Sequence, residues 1–198
     1  YLAQSNLDEI IRLNVDEATK AQAAQNGDNN NQIAVARILK VFTYQVMTDT
    51  WGDIPYSSFG GSNATFDAGK ADQGVIYAQY AKQELIYADL LKELKEASDQ
   101  LNTGSSAFAS GDAIYKGNAL KWKKFANSLS LRIANRVRSK LNEADSRIKE
   151  ILANPAQYPI FESNDDNALL AFETNAPNQA PFYKATILAN RNDYAVSN

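Results

Sequence analysis

Residues 118–141, which read NALKWKKFANSLSLRIANRVRSKL, carry large apolar side chains at intervals of three and four positions. The apolar positions are Trp122, Phe125, Leu129, Ile133, Val137 and Leu141. This spacing places them on one face of an α-helix, so the segment predicts an amphipathic helix that begins at Lys116 or Asn118. Arg132 and Arg136, one turn apart, interrupt the apolar stripe and predict ion pairing within the fold.

The same periodicity predicts four further helices, over about residues 2–25, 32–50, 72–101 and 143–154. The first is either one helix or two short ones, and Asp72 has the side chain of an N-cap for the third. After Pro159 the helical pattern fades, and residues 168–172 fit either a short strand or a turn of helix. The chain is therefore predicted to be mostly α, built from tetratricopeptide-like helical pairs with irregular loops and little or no β structure.

Composition excludes several classes of chemistry. The 198 residues contain no Cys and no His, which removes disulfides, thiolate or imidazole metal sites and Ser-His-Asp catalysis. The net charge is −3, so nothing in the overall charge favours nucleic acid. Many basic residues lie between Lys116 and Lys149, and we interpret them as a solvated helix face rather than a polyanion site.

The two ends of the sequence suggest a fragment. The chain starts at Tyr1 without a charged and apolar leader, and it stops at Asn198 without a closing feature. No stretch approaches the roughly 18 apolar residues of a membrane span. We therefore expect an internal piece of a longer protein, whose anchoring or targeting segment would lie upstream.

Carboxylates are the candidate groups for acid–base or cation chemistry. Asp49 and Asp53 flank Trp51 and could form a glycosidase pair, although capping and turn bonding are commoner at a helix end. A second group, Glu162 with Asp165 and Asp166, could hold a hard cation such as calcium, but its spacing lacks the EF-hand pattern. The sequence therefore predicts neither an enzyme nor a resident cofactor, with calcium as a weak alternative.

Aromatic residues on the predicted loops are the candidate ligand contacts. We select Trp51, Tyr56, Phe66 and Tyr183, whose rings could stack on sugars or line a peptide groove. For each of them, packing beneath its loop is the competing interpretation. The aromatics on predicted helices are interpreted as core, and these are Tyr80, Tyr87, Trp122 and Phe125.

Several motifs together resemble the SusD/RagB family of nutrient-binding outer-membrane lipoproteins of Bacteroidota. The first is residues 34–40, AVARILK, running into residues 48–56, TDTWGDIPY. The second is residues 111–118, GDAIYKGN, leading into WKKFANSL at 122–129 and LRIANR at 131–136. Residues 164–168, 181–183 and 191–197 continue the likeness in the same order, so it covers nearly the whole chain.

The resemblance implies properties that no residue here shows. Family members are lipid-anchored on the outer face of the outer membrane, where each caps a SusC-type TonB-dependent transporter and delivers oligosaccharide or peptide to it. The chain would then be a single partial domain over 1–198, with a SusD-like α-superhelix as scaffold at about 2–154 and a loop-rich segment at about 155–198. The family's motifs would mark that scaffold, at Gly52, Asp53, Ile54, Pro55, Trp122, Phe125, Asn127 and Arg132.

Two other functions remain open. A tetratricopeptide-like scaffold that binds only proteins would share the helical pattern, and a genomic neighbour encoding a TonB-dependent barrel would argue against it. A carboxylate glycosidase is the more remote alternative. The identity of the ligand, and the residues that contact it, are beyond what the sequence can specify.

Overall fold

A computed structural model describes residues 2–61, 63–176 and 178–191, and these residues form two compact units that divide between residues 167 and 168. The first unit contains the helices α1 (Leu2–Val15), α2 (Lys20–Ala23), α3 (Asn29–Trp51), α4 (Gln83–Gln100), α5 (Ala119–Val137) and α6 (Glu143–Ala153). It also contains short 3₁₀ turns at Ala24–Asn26, Ala71–Gln73 and Asn164–Asp166. The second unit contains α7 (Pro181–Tyr183) and a π-helical turn at Lys184–Leu188.

Helices of the first unit pack in chain order, with α1 on α3, α3 on α4, α4 on α5, and α5 on α6. Alternate helices also touch, because α3 reaches α5 and α4 reaches α6. Such nearest-neighbour packing is typical of stacked helical pairs. The mostly α fold class is therefore confirmed, and strand structure in the described residues is limited to β1 (Ile54–Pro55) and β2 (Tyr80–Ala81).

Helix α5 closely follows its predicted pattern. The Asn118 side chain caps the helix by accepting a hydrogen bond from the Lys121 N–H at 3.0 Å. Trp122 is 1% exposed and lies edge-to-face with Tyr115 and Phe125, at centroid distances of 5.1 and 5.8 Å. The helix ends at Val137, four residues before the predicted end.

The polar family-motif residues of α5 also serve packing. Asn127 is fully buried and donates from Nδ2 to the Pro159 carbonyl at 3.0 Å. Arg132 donates to Gln45 Oε1 at 2.5 Å and lies over the Phe42 ring, so its bond is to an amide and not the predicted ion pair. The prediction holds for Arg136, which pairs with Asp49 at 3.0 Å.

Helix α4 begins later than predicted. It starts at Gln83, so the prediction of a helix from residue 72, with Asp72 as N-cap, was wrong. Gly74 adopts a left-handed conformation with φ 86°, which ends the 3₁₀ turn, and Tyr80 then enters strand β2. As a consequence Tyr80 is 69% exposed and does not belong to the core, contrary to the prediction.

The remaining boundaries refine the sequence predictions. The first helical stretch consists of α1 and the short α2, which was one of the two predicted alternatives. Residues 168–172 form neither strand nor helix. The family-like residues at 192–197 lie outside the described ranges. Within those ranges, no helix combines the length and apolar character needed to cross a membrane.

Candidate functional site

Trp51 stands at the exposed end of the longest helix. It is the last residue of α3, and Gly52 follows with φ 75°, a conformation that glycine adopts without strain. The Gly52 N–H donates to the Thr48 carbonyl at 2.9 Å, and the Thr48 hydroxyl donates to the Gly52 carbonyl at 2.7 Å. These bonds fix the turn while the Trp51 side chain stays in solvent, with 68% of the residue exposed.

The two-stranded sheet presents Tyr80 next to this turn. In the antiparallel register Ile54 pairs with Ala81, and Pro55 pairs with Tyr80. Ile54 and Ala81 point into the core, and Tyr80 points to solvent because successive residues of a strand face opposite sides. Tyr77, in the loop before β2, is 91% exposed. These three exposed aromatic residues, Trp51, Tyr77 and Tyr80, lie on a helix end, a loop and a strand, and we call the set the aromatic patch.

Asp53 joins the two segments that carry the aromatic patch. Its Oδ2 accepts from Lys82 Nζ at 2.8 Å, and its Oδ1 accepts from the Gln83 N–H at 2.9 Å. The hydrogen bond from Lys82 lowers the pKa of Asp53, with a further contribution from the Gln83 N–H. A negative charge at the first turn of α4 also complements the helix dipole. Asp53 therefore acts as a structural clamp.

Tyr56 and Phe66 come together, but inside the core. Tyr56 is 1% exposed, and its ring lies edge-to-face with Phe66 and Tyr44 at centroid distances of 4.7 and 4.6 Å. Its hydroxyl donates to Asp89 Oδ2 at 2.7 Å, and burial raises the pKa of Tyr56 well above its usual value. In this conformation the Tyr56 ring has no free face for stacking, so its position is that of a core residue.

Asp49 is also held by structural partners. It accepts from Gln45 and from the Tyr87 hydroxyl, and it pairs with Arg136. Burial, followed by the bond to Asp49, raises the pKa of Tyr87 to about 12. Asp49 therefore joins α3 to α4 and α5, and Asp53 joins the turn after α3 to the start of α4, so both carboxylates have structural partners.

The loop that carries Glu162, Asp165 and Asp166, which we call the acidic loop, is organised around a lysine. Lys124 Nζ lies 2.7 Å from Glu162 and 3.0 Å from Asp166. The Glu162 N–H, donating at 2.9 Å, and then Lys124 lower the pKa of Asp166. Among the described residues no group of three or more His, Cys, Asp or Glu side chains could hold a metal ion. Calcium at Glu162, Asp165 and Asp166 stays a prediction.

A family model described as "Starch-binding associating with outer membrane", of SusD-like type, matches residues 2–198. The chain belongs to the SusD-like family. This confirms the resemblance given by the sequence motifs. A comparison with curated proteins finds no match.

Solved structures show the same SusD-like fold. BT1043 is 25% identical over 94% of this chain and 33% of its own, with a TM-score of 0.73. A SusD homolog (BF3025) from Bacteroides fragilis is 27% identical over 91% of this chain and 36% of its own, with a TM-score of 0.67. An outer-membrane protein of Bacteroides vulgatus, described as having an inferred role in nutrient binding, is 27% identical over 92% of this chain and 36% of its own, with a TM-score of 0.64. The SusD-like chain thus spans about a third of each of these structures.

The structure distributes the four predicted ligand residues of the SusD-like chain over different environments. Trp51 is exposed in the aromatic patch, whereas Tyr56 and Phe66 are buried. Tyr183 belongs to α7 of the second unit and is 43% exposed. Sequence reasoning missed Tyr77 and misassigned Tyr80, although Gly74 was a usable signal against a helix running through residues 72–80.

Proposed function

We propose that this SusD-like chain is part of a non-catalytic, nutrient-binding protein of the outer membrane. In this proposal the protein is lipid-anchored on the extracellular face, binds an oligosaccharide and passes it to a SusC-type TonB-dependent transporter. The family description, starch-binding and associating with the outer membrane, supports both the ligand class and the location.

The aromatic patch is the observation that carries the ligand class. Trp51 and Tyr80 are two large rings held in solvent by the end of α3 and by β2, and Tyr77 lies in the loop that leads into β2. Exposed rings on a rigid support offer flat apolar faces to the C–H groups of a sugar, and holding them in place lowers the entropy cost of binding. We therefore propose that Trp51, Tyr77 and Tyr80 stack on an oligosaccharide.

Ring substitutions test this proposal. We expect Trp51→Ala and Tyr80→Ala each to weaken the binding of maltohexaose by about 2- to 13-fold, the effect of losing about 0.5–1.5 kcal/mol of ring contact. Trp51→Phe keeps a ring and serves as the matched control, with a smaller loss. Calorimetry on the intact protein gives the affinities, and circular dichroism verifies folding. Unchanged affinity in both alanine variants, or tight binding of peptides in place of the sugar, would contradict the proposal.

The proposed partnership has its own test. The intact protein, extracted from outer membranes in mild detergent, should copurify with a large TonB-dependent barrel. A clean monomer in that extract would contradict the capping role and favour the tetratricopeptide-like scaffold or a free binding protein.

The bonding of the two candidate carboxylates supports the proposed absence of catalysis. Asp49 pairs with Arg136, and Asp53 bonds to Lys82 and Gln83. We expect no release of reducing ends when the protein is incubated with malto-oligosaccharides. Hydrolysis that disappears in Asp49→Asn or Asp53→Asn would instead establish the glycosidase alternative.

A further inference from the structure

A groove of about 810 Å³ runs between α4 and α6 in the first unit. Its apolar lining comes from the loop residue Phe66 and from Leu85, Ala88 and Leu91 of α4. The volume falls within the roughly 300–1,000 Å³ that ligand pockets occupy, and an apolar floor with a few polar groups is their usual lining. None of its lining residues belongs to the aromatic patch.

The charged residues on the groove lining balance one another. Three are acidic and three are basic, and they are Asp89, Glu143, Glu150, Lys92, Lys95 and Arg147. Glu150 accepts from Arg147 Nη1 at 2.8 Å and also from Lys95, so part of this charge is neutralised within the wall. A groove without net charge gives no electrostatic reason to select an anion or a cation.

Arg147 is the most constrained of these groups. It is 6% exposed, donates from Nε to Ser130 Oγ at 3.2 Å, and stacks its guanidinium 4.5 Å from the centre of the Tyr158 ring. Its Nη2 is buried and has no hydrogen-bond partner in the described part of the chain. Lys95 supports the same wall by donating to the Tyr158 hydroxyl at 2.6 Å. These hydrogen bonds and the ring contact hold the polar wall in one arrangement before any ligand binds.

We propose that the groove between α4 and α6 is a second binding site for a neutral oligosaccharide. Sugar hydroxyls donate and accept at once, so they suit a wall where carboxylates and cationic groups alternate. The apolar floor suits the C–H face of a sugar ring. The inference extends the proposed function, because it assigns the same ligand class to residues outside the aromatic patch.

The test uses the intact protein with the patch disabled, as Trp51→Ala/Tyr80→Ala. Adding maltohexaose should slow hydrogen exchange in residues 83–100 and 143–153. Ser146→Trp, which places a large ring in the groove, should weaken this remaining binding at least about tenfold. Leu152→Trp adds the same ring to an exposed position of α6 that does not line the groove, and it should leave binding unchanged.

A second groove variant keeps the test valid if Ser146→Trp does not fold. Leu85→Asp adds a charge to a partly exposed position on the groove floor, and it should also weaken binding while circular dichroism stays unchanged. Loss in the groove variants with no effect of the patch substitutions would support the groove and contradict the patch. Loss in the patch variants alone, with equal affinity in Ser146→Trp and Leu152→Trp, would overturn the groove.

The neutral character of the ligand is tested separately. The affinity for maltohexaose should not change with salt concentration, because no charge is neutralised on binding. Tighter binding of an oligogalacturonate than of the neutral sugar, with affinity that falls as salt rises, would overturn the assignment of a neutral ligand.

Discussion

Replacing Trp122 should remove the largest buried side chain of the first unit. Trp122 is 1% exposed, and its ring is packed edge-to-face against Tyr115 and Phe125. Its Nε1 donates to Asp112 Oδ2 at 2.8 Å. Loss of a buried aromatic side chain costs about 3–5 kcal/mol, through lost apolar burial and the cavity left behind. We therefore expect Trp122→Ala to lower the free energy of unfolding by about that amount.

Trp122→Phe separates packing from hydrogen bonding. Phenylalanine retains most of the ring contact but cannot donate to Asp112, whose carboxylate keeps bonds from the N–H groups of Ile114, Tyr115 and Gly117. Hydrogen bonds to a charged group are worth about 1.5–3 kcal/mol, and retained partners reduce that cost. We expect Trp122→Phe to cost about 1–2 kcal/mol, clearly less than Trp122→Ala.

Urea unfolding monitored by circular dichroism measures both effects, because the helical signal does not depend on the tryptophan fluorophore that both substitutions remove. The m-value should be the same in all variants, so that midpoint shifts report stability. A cost below about 1 kcal/mol for Trp122→Ala would refute the assignment of Trp122 as a core residue. Equal costs for the two variants would refute the separation into packing and hydrogen-bond contributions.

Other consequences of the structure can be tested in the same way. Burial raises the pKa of Asp112, but bonds from Tyr115, Gly117 and Trp122 outweigh it, so the folded-state pKa is lowered. The free energy that ionised Asp112 adds to folding is fully present above the unfolded-state pKa, and it disappears as the pH falls through the folded-state pKa. Asp112→Asn should therefore reduce the loss of stability at acid pH, which urea unfolding at a series of pH values measures. Gly117→Ala should lower the free energy of unfolding more than Gly52→Ala does. Both glycines have a positive φ, but a Cβ at residue 117 would lie 2.1 Å from a carbonyl oxygen, and a Cβ at residue 52 would meet nothing within 4 Å. Millimolar Ca²⁺ should leave the melting temperature unchanged because Lys124 already pairs with Glu162 and Asp166, two of the three carboxylates, and a rise would favour the calcium prediction.

Local patterns predicted the helices well, because a helix bonds residues that are close in the sequence. The apolar stripe and the Asn118 cap both lie within α5 itself, which explains why that helix was placed almost correctly. Tyr80 shows where such reasoning fails. Its spacing of four residues from Ile76 and seven residues from Tyr87 imitates a helix face, but the ladder to Pro55 and the left-handed Gly74 decide its conformation. A pairing partner distant in the sequence leaves no local signal.

The candidate site was predicted less well than the fold. A loop aromatic can stack on a ligand or pack beneath its own loop, and the sequence cannot distinguish these outcomes. Trp51 and Tyr56 lie in the same motif, yet the first is 68% exposed and the second 1% exposed. Trp51 is the last residue of α3 and lies in solvent, whereas β1 leads the chain into the core, where the Tyr56 hydroxyl donates to Asp89 on α4.

This division within one motif explains why the family is easier to recognise than its ligand. The bonds that hold the turn come from Thr48, Asp53 and Gln83, and the core contact comes from Ile54. The turn is therefore specified without the exposed indole of Trp51, and surface substitutions of that kind usually change stability by less than about 0.5 kcal/mol. A chain can change the ring that it presents to solvent while keeping the scaffold. Motifs of this kind therefore identify the fold, and ligand specificity has to be argued from the exposed side chains that the fold holds in place.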